Sequence, residues 1–379
     1  MKVEIRNIYI ILISAILSVF GTLAARGSNL VSIIPIPYIY AVIMIVLIIV
    51  FYEKPFVIPY NKKFLVLVCI CAGSAFVNSD KEMIISCICM LIIFSYLLKA
   101  PDNLRIYLLI GTALGQFVFL FRYGLTDSWN GNSVCMTFAF IMLISILSYM
   151  TNISDFILMI IIFIAGAIVI IMSSRTSMIA FFISVICLLI IRYRKTKSWP
   201  VKLTVLLTVL LVLIIRFRDR LSLVWVDKWS NRGYEGTSVL TGREDIWIGE
   251  LKNDWTIWGN GKNYFNSIYH HNDAHNIFIQ VLGRYGTLAL IVFIIFSFSI
   301  LVMAFKLKSD SKMYVLPTVI AYFIMGMFEN VLFVDCKMYI PSMMFLTVVA
   351  KLICDKHLTE EDVKKGNAKM ESSYRINKE

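Results

Sequence analysis

Long apolar runs, separated by short charged breaks, dominate this chain. Read from break to break, they fall at 8–25, 30–52, 64–79, 83–98, 104–121, 132–150, 155–173, 176–191, 200–217, 277–305, 313–333 and 339–354. Most approach the roughly 20 residues that a helix rising ~1.5 Å per residue needs to cross a bilayer core. Very short turns separate the pairs within 64–98 and 154–191. The pattern predicts an all-α polytopic membrane protein with about 12 transmembrane helices. Lys2 and Arg6 precede the first run as in a signal peptide, but no convincing small-residue cleavage site follows, so the run reads as an uncleaved helix. No 20–50 residue repeat is evident, which removes solenoid architectures.

One segment departs from the pattern. From Arg218 to His275 the chain turns polar, aromatic and Gly-containing, and it holds Trp225, Trp229, Trp247, Trp255 and Trp258. A connection of this length is normally functional. Thr241 and Glu244 fit a capping box, followed by a helix with apolar positions at Trp247, Leu251 and Trp255. The stretch WGNGKNYF reads as a turn. Trp and Tyr favour the headgroup level, so the loop is expected to lie on the membrane. The organisation is therefore helices 1–9 in 1–217, an extracytoplasmic loop in 218–275, helices 10–12 in 276–355 and a basic cytoplasmic tail in 356–379.

Composition sharpens this reading. With 59% hydrophobic and 16% charged residues over 379 positions, and a mean hydropathy of +0.80, the chain is far from globular composition. A soluble core, a disordered chain and a secreted disulfide scaffold are excluded. The net charge of +12 follows from the positive-inside rule and calls for no nucleic-acid partner. With the N-terminus inside, the short inner segments hold Lys2, Arg6, Lys54, Lys62, Lys63, Lys99, Arg105, Arg192, Arg194, Lys195, Lys197, Lys202, Lys306, Lys308 and Lys312. The short outer loops hold only Arg26, Lys81, Arg122, Arg175 and Lys337, fifteen against five. Both termini are thereby assigned to the cytoplasm. Cys69, Cys71, Cys87, Cys89, Cys135 and Cys187 lie inside apolar runs and act as small hydrophobes, so neither disulfides nor a metal site is expected from them.

Candidate chemistry gathers on the outer side. Arg175 sits in SSRTS, Arg243 follows Gly242 in the loop, and Arg284 sits in GRYG within the return helix. An arginine at membrane depth costs at least ~2.5 kcal/mol on insertion scales unless a polar cavity or partner receives it. Three converging guanidinium forks suit phosphate oxygens, and phosphate at a membrane surface points to a lipid-linked pyrophosphate. His275, in NDAHN, could serve as a base toward a sugar hydroxyl. His271 and His275 are spaced i, i+4, but no H-E-x-x-H pattern supports a metal, and Asp273 reads as an N-cap. On a straight helix over 274–290, His275 and Arg284 would lie about half a turn apart in azimuth. Sharing one site requires a bend, for which Gly283 is the candidate, or a supporting role for one of them. Asp273 and Arg284 would fall on nearly the same face. Glu329, in FEN at the outer end of the eleventh run, needs a partner and is expected to pair with one of these arginines.

Taken in order, TGREDIW, WGNGKNYF and HNIFIQVLGRYGTLALI resemble the loop and following helix of the O-antigen ligase and polymerase superfamily. SSRTSMIAF is similar to an earlier Ser-Arg element of that superfamily. The resemblance covers about 173–180 and 241–290, and elsewhere only the architecture matches. It implies an integral-membrane, metal-independent glycosyltransferase of the bacterial cytoplasmic membrane, without cofactor, whose site faces outward. It further implies a polyprenyl-pyrophosphate-linked glycan as donor and acceptor, membrane lipid around it, and flippase and chain-length regulator proteins as partners. Carried onto this chain, Arg175, Arg243 and Arg284 bind or polarise the pyrophosphate, His275 activates the acceptor hydroxyl, and Asn276 and Glu329 support them. The loop is compact and nothing ties to a lipid A core acceptor, so polymerisation of a capsule or O-antigen repeat is favoured over ligase-type transfer. A flippase or secondary transporter is the alternative of a different class, typically with its charges near the midplane on broken helices.

The charge count makes a direct prediction. A cysteine placed at Ser238 should react with an impermeant reagent added outside intact cells. Reaction only after permeabilisation would invert the assigned topology.

Overall fold

The computed structural model describes residues 5–25, 62–123, 130–150, 153–172, 174–194, 243–253, 255–271, 273–307, 309–334 and 340–356, with single positions at 201, 204 and 208. All regular elements among them are helical. The run at 30–52, nearly all of 200–217, the first part of the loop with Trp225, Trp229, Ser238 and Thr241, and the tail from 357 lie outside the described residues.

The helices are α1 (Ile5–Ala25), α2 (Lys62–Val77), α3 (Lys81–Lys99), α4 (Asp102–Tyr123), α5 (Asn130–Met150), α6 (Asp155–Ile171), α7 (Arg175–Tyr193), α8 (Arg243–Lys252), α9 (Tyr264–Tyr269), α10 (Ile277–Lys306) and α11 (Ser309–Gly326). A last helical run, α12, covers 340–356. Five of the described helices are long and apolar enough to cross a membrane: Lys81–Lys99, Asp102–Phe121, Ser133–Met150, Arg175–Tyr193 and Ile277–Lys306. Polar caps explain why the long apolar stretches break where they do. Asp80 accepts from Met83 N at 3.1 Å to start α3, Ser154 accepts from Ile157 N to start α6, and Ser174 accepts from Ser177 N to start α7. Each cap satisfies a backbone N–H that the first turn would otherwise leave unpaired.

Packing joins helix ends in two sets. At one end, Arg105 is buried and its guanidinium donates to Asp102 at 2.7 Å and to the Leu97 and Leu98 carbonyls. Lys351 on α12 reaches Asp102 at 2.8 Å and Asp355 at 3.1 Å. At the other end, Asp80 pairs with Arg284, and Arg243 pairs with Glu329. Between the two sets lies an aromatic core in which Phe94, Phe64, Phe296, Phe333, Tyr322 and Phe345 touch in that order, joining α3, α2, α10, the segment after α11, α11 and α12. The described cysteines, Cys354 among them, carry free thiols, while Cys336 is outside the described residues.

Two helices differ from the runs read in the sequence. The run at 313–333 is not one helix. α11 stops at Gly326 and the chain turns through 327–329, so Glu329 stands in a turn rather than on a helix face. The Tyr322 hydroxyl donates to the Val331 carbonyl and fastens this return. The run at 277–305 is broken as well, at Gly286 (φ 92°, ψ 176°) and not at Gly283. From Thr287 to Lys306 there are twenty residues, about 30 Å of helix, which alone matches a bilayer core. The ten residues 277–286 form a separate buried piece.

A break in a helix releases backbone groups that must find other partners. In an unbroken helix Thr287 N would bond Gly283 O. Here Thr287 N donates to Thr256 O at 3.0 Å, Gly283 O accepts from Asn260 N at 3.0 Å, and Arg284 O accepts from Gly261 N at 3.2 Å. The loop 256–261 supplies partners for these three groups. The contact is backbone on backbone: a Cβ on Gly286 would lie 2.2 Å from Ile257 O, and one on Gly259 (φ 71°) would lie 2.4 Å from Arg284 O.

Replacing Gly286 with Ala should therefore lower the stability of the detergent-solubilised protein by at least the ~1–3 kcal/mol typical of a backbone conformation reserved for glycine. Gly166→Ala is the control, because its Cβ would meet the Phe181 ring at an ordinary 3.5 Å. A thermal unfolding midpoint unchanged in Gly286→Ala would refute the loop-and-break account.

Candidate functional site

The loop delivers its chemistry through three short pieces. α8 begins at Arg243 and buries Ile246 and Glu250, not the Trp247, Leu251 and Trp255 face expected from spacing; Leu251 and Trp255 are exposed, and Trp255 lies beyond the helix end. The reason is that Glu250 packs toward Gly283 beneath Tyr264 and Tyr269, while Trp247 uses its indole N–H on the Ala274 carbonyl at 2.7 Å. Burial pushes the Glu250 carboxyl above the usual range, and a hydrogen bond from Tyr264 partly opposes this. α9 closes at His270, which adopts a left-handed conformation.

His275 does not lie on α10. The N-cap is Asn276, whose Oδ1 accepts from Phe278 N at 2.9 Å and Ile279 N at 3.2 Å. Asp273, expected to be the cap, instead accepts from His275 N at 2.9 Å in a local turn. His275 has φ 50°, a left-handed conformation uncommon for a residue with a Cβ. It is held there from both sides, since Ala274 N donates to Gln280 Oε1 at 2.8 Å while the Ala274 carbonyl accepts from Trp247. The azimuth of a continuous helix therefore does not relate His275 or Asp273 to Arg284.

Glu329 is the hub. Its Oε1 accepts from both terminal nitrogens of Arg243 at 3.4 Å, and its Oε2 faces His275 Nδ1 at 3.4 Å. Asp273 Oδ1 faces the same Nδ1 at 3.4 Å. Arg243 also donates to the Phe328 carbonyl at 2.6 Å, and Asn276 Nδ2 donates to the Met327 carbonyl at 3.0 Å. Arg243 and Asn276 thus grip the carbonyls left open just past the end of α11, and Arg243 puts a cation where that helix dipole favours one. Two carboxylates face Nδ1, and the tautomer that donates Nδ1–H to them carries its lone pair on Nε2. The His271 ring stands 6.3 Å from that of His275, centroid to centroid.

The other two arginines have different settings. Arg284 is 6% exposed, and its Nη2 donates to Asp80 Oδ2 at 3.0 Å. It lies eight residues along from Asn276, about 12 Å of helix. Arg175 is half-buried at the start of α7. α7 packs along α11, with Cys187 late in α7 within electrostatic reach of Lys312 early in α11. The two helices therefore run antiparallel, and Arg175 lies toward the end where α11 meets the Arg243–Glu329 pair. Sequence spacing gave no hint of Asp80 or Glu250. Asp80 is one of two acids in a short charged turn, and Glu250 sits among residues that look like an exposed helix face.

Comparison of the chain with protein-family models and with curated proteins finds no match.

The shared carboxylate predicts energetic coupling. In a double-mutant cycle on thermal stability, Arg243→Ala and Glu329→Ala should be non-additive by ~0.5–3 kcal/mol, as for residues of one network. Additive losses would show that the 3.4 Å contacts carry no interaction.

Proposed function

We propose that this protein is a membrane-integral glycosyltransferase that polymerises lipid-linked oligosaccharide repeat units at the outer face of the bacterial cytoplasmic membrane. The observation that carries the reading is the junction of His275, Glu329 and Arg243: a carboxylate-oriented imidazole beside a guanidinium, on a loop held to a broken helix. The resemblance of 173–180 and 241–290 to the O-antigen ligase and polymerase superfamily supports the same assignment. The proposal includes twelve spans with both termini inside. It is supported by the fifteen-to-five charge count and by the way helix ends assigned to one side meet each other.

The chemistry is displacement at an anomeric carbon. The acceptor sugar hydroxyl gives its proton to His275 Nε2 as its oxygen bonds to the anomeric carbon, and the bond from that carbon to the pyrophosphate oxygen breaks. Negative charge grows on the departing polyprenyl pyrophosphate. Preorganised guanidinium groups stabilise it in proportion to how little they must move. Arg243 is fixed through Phe328 and Glu329, and Arg175 supplies a second cation from α7. Arg284, already engaged by Asp80, acts as a positioning residue for the loop.

A positioned base contributes roughly 10²–10⁴-fold, so His275→Ala should abolish chain growth and leave single repeat units on lipid. His271→Ala should be mild, and activity should survive EDTA. Arg243→Lys should be nearly as damaging as Arg243→Ala, since an ammonium cannot reproduce the fork. Gel profiles of the surface polysaccharide and of lipid-linked glycans read all four. Near-normal polymer from His275→Ala would end the proposal, and full-length polymer accumulating on lipid in the absence of the protein would indicate a ligase.

A further inference from the structure

A polar groove lies apart from the His275 junction. The turn Asn78–Glu82 between α2 and α3 forms one wall, Asn260–Asn263 forms the other, and the cavity between them measures about 400 Å³. That is within the range of small-molecule sites. The backbone that shapes it is fixed. Ser74 Oγ and Asn78 Nδ2 donate to the Trp258 carbonyl at 2.6 and 3.2 Å, and the Asp80–Arg284 pair and the break at Gly286 hold the base.

Most of the groove's charges are already paired, and among the described residues Lys81 is the one lining cation left over. Lys262 is bonded to Glu82, and Asp80 to Arg284. A polyanion would gain little from such a lining, because each cation already has, or adjoins, a carboxylate. The Ser79 hydroxyl and Lys81 head on one wall and the Asn263 amide on the other instead offer donors and acceptors, while the Asn260 amide N–H is spent on the Gly283 carbonyl. Asn263 is exposed and its side chain does not cap α9, so its amide is presented outward. Neutral donors and acceptors beside a single spare cation suit a polyhydroxylated, uncharged ligand better than a polyanion.

We infer that this groove is a subsite for uncharged sugar residues of the glycan chain. The inference rests on the glycosyltransferase reading for its place in the reaction and deepens it. Arg284, which adjoins the groove through Asp80, lies about 12 Å of helix from Asn276 beside His275. A glycan held here would extend from a reaction at His275 Nε2, so the groove sets how long a growing chain is retained. It does not bind the pyrophosphate.

Two measurements test this on the full-length protein. The first is binding of the delipidated oligosaccharide repeat, released by mild acid from the lipid-linked pool, to protein in nanodiscs, with inorganic pyrophosphate as the comparison probe. Asn263→Trp, which fills the groove from an exposed position, and Lys81→Ala should each weaken oligosaccharide binding at least tenfold and leave pyrophosphate binding unchanged. Unchanged oligosaccharide binding in both variants, or loss of pyrophosphate binding in either, would overturn the inference. The second is the length distribution of polymer made by the same variants. Modal length should fall while the first linkage still forms. Unaltered length would likewise overturn it. His275→Ala separates the two proposals: inactive protein that still binds oligosaccharide in an Asn263-dependent way supports both, whereas active His275→Ala protein with that binding intact removes the reaction and keeps the groove.

Discussion

The path of the loop at the polar end of this bundle depends on its contact with the break in α10, made through residues 256–261. A helix interrupted at Gly286 exposes the Gly283 and Arg284 carbonyls and the Thr287 N–H. Beside a membrane, water cannot be relied on to satisfy them, and each unsatisfied group costs several kcal/mol in hydrocarbon. Thr256, Asn260 and Gly261 supply the missing partners through their own backbones. Only glycine permits that approach at 259 and 286, where an added Cβ would overlap main-chain atoms. The loop is thus bonded into the helix rather than draped over it.

From this contact the geometry of the candidate site follows. The piece 277–286 is free of the constraint to continue the membrane-spanning axis, so its first turn can be aimed by Asn276 and Gln280. Gln280 and Trp247 clamp Ala274 from its two sides, and the clamp holds His275 in a left-handed conformation next to Glu329. A non-glycine residue in that conformation persists only where its surroundings over-determine it. The turn after α11 is fastened from its own helix by Tyr322 on Val331 and from the loop side by Arg243 and Asn276 on the Phe328 and Met327 carbonyls. The two braced segments present a carboxylate and an imidazole to each other.

Much of this was legible in the residues, and the remainder failed for identifiable reasons. Helix-forming runs showed because apolar length is a strong signal, and Glu329 was legible as an acid needing an arginine, here Arg243. The break was legible only as a requirement: His275 and Arg284 could not share a face of a straight helix. Its position at Gly286 instead of Gly283 depends on backbone partners 23 to 31 residues earlier in the chain, which no local pattern encodes. The buried face of α8 was misread because a carboxylate, Glu250, occupies it under two tyrosines, whereas hydrophobic spacing assigns such a face to tryptophans. Asp273 satisfied the composition of a cap, but Asn276 lies next to the first helical residue and took the role.

The three arginines, equivalent by residue type, are separated by what leaving their present partners would cost. Arg284 and Asp80 are both nearly inaccessible and joined at 3.0 Å. Drawing Arg284 onto a phosphate would strand a buried carboxylate, a loss of ~3–5 kcal/mol of the kind measured when one member of a buried pair is removed. Arg243 is more accessible, and its contacts to Glu329 are long at 3.4 Å, whereas its bond to the Phe328 carbonyl is short. One strong neutral acceptor fixes the guanidinium, and the weak contacts to the carboxylate can be exchanged for ligand oxygens at small expense. Glu329 would then be left facing His275, where an imidazole that has taken a proton needs a carboxylate. Under the proposed reaction, the same exchange that turns Arg243 toward a developing anion leaves Glu329 to the imidazole, which suits Arg243 to chemistry and Arg284 to architecture.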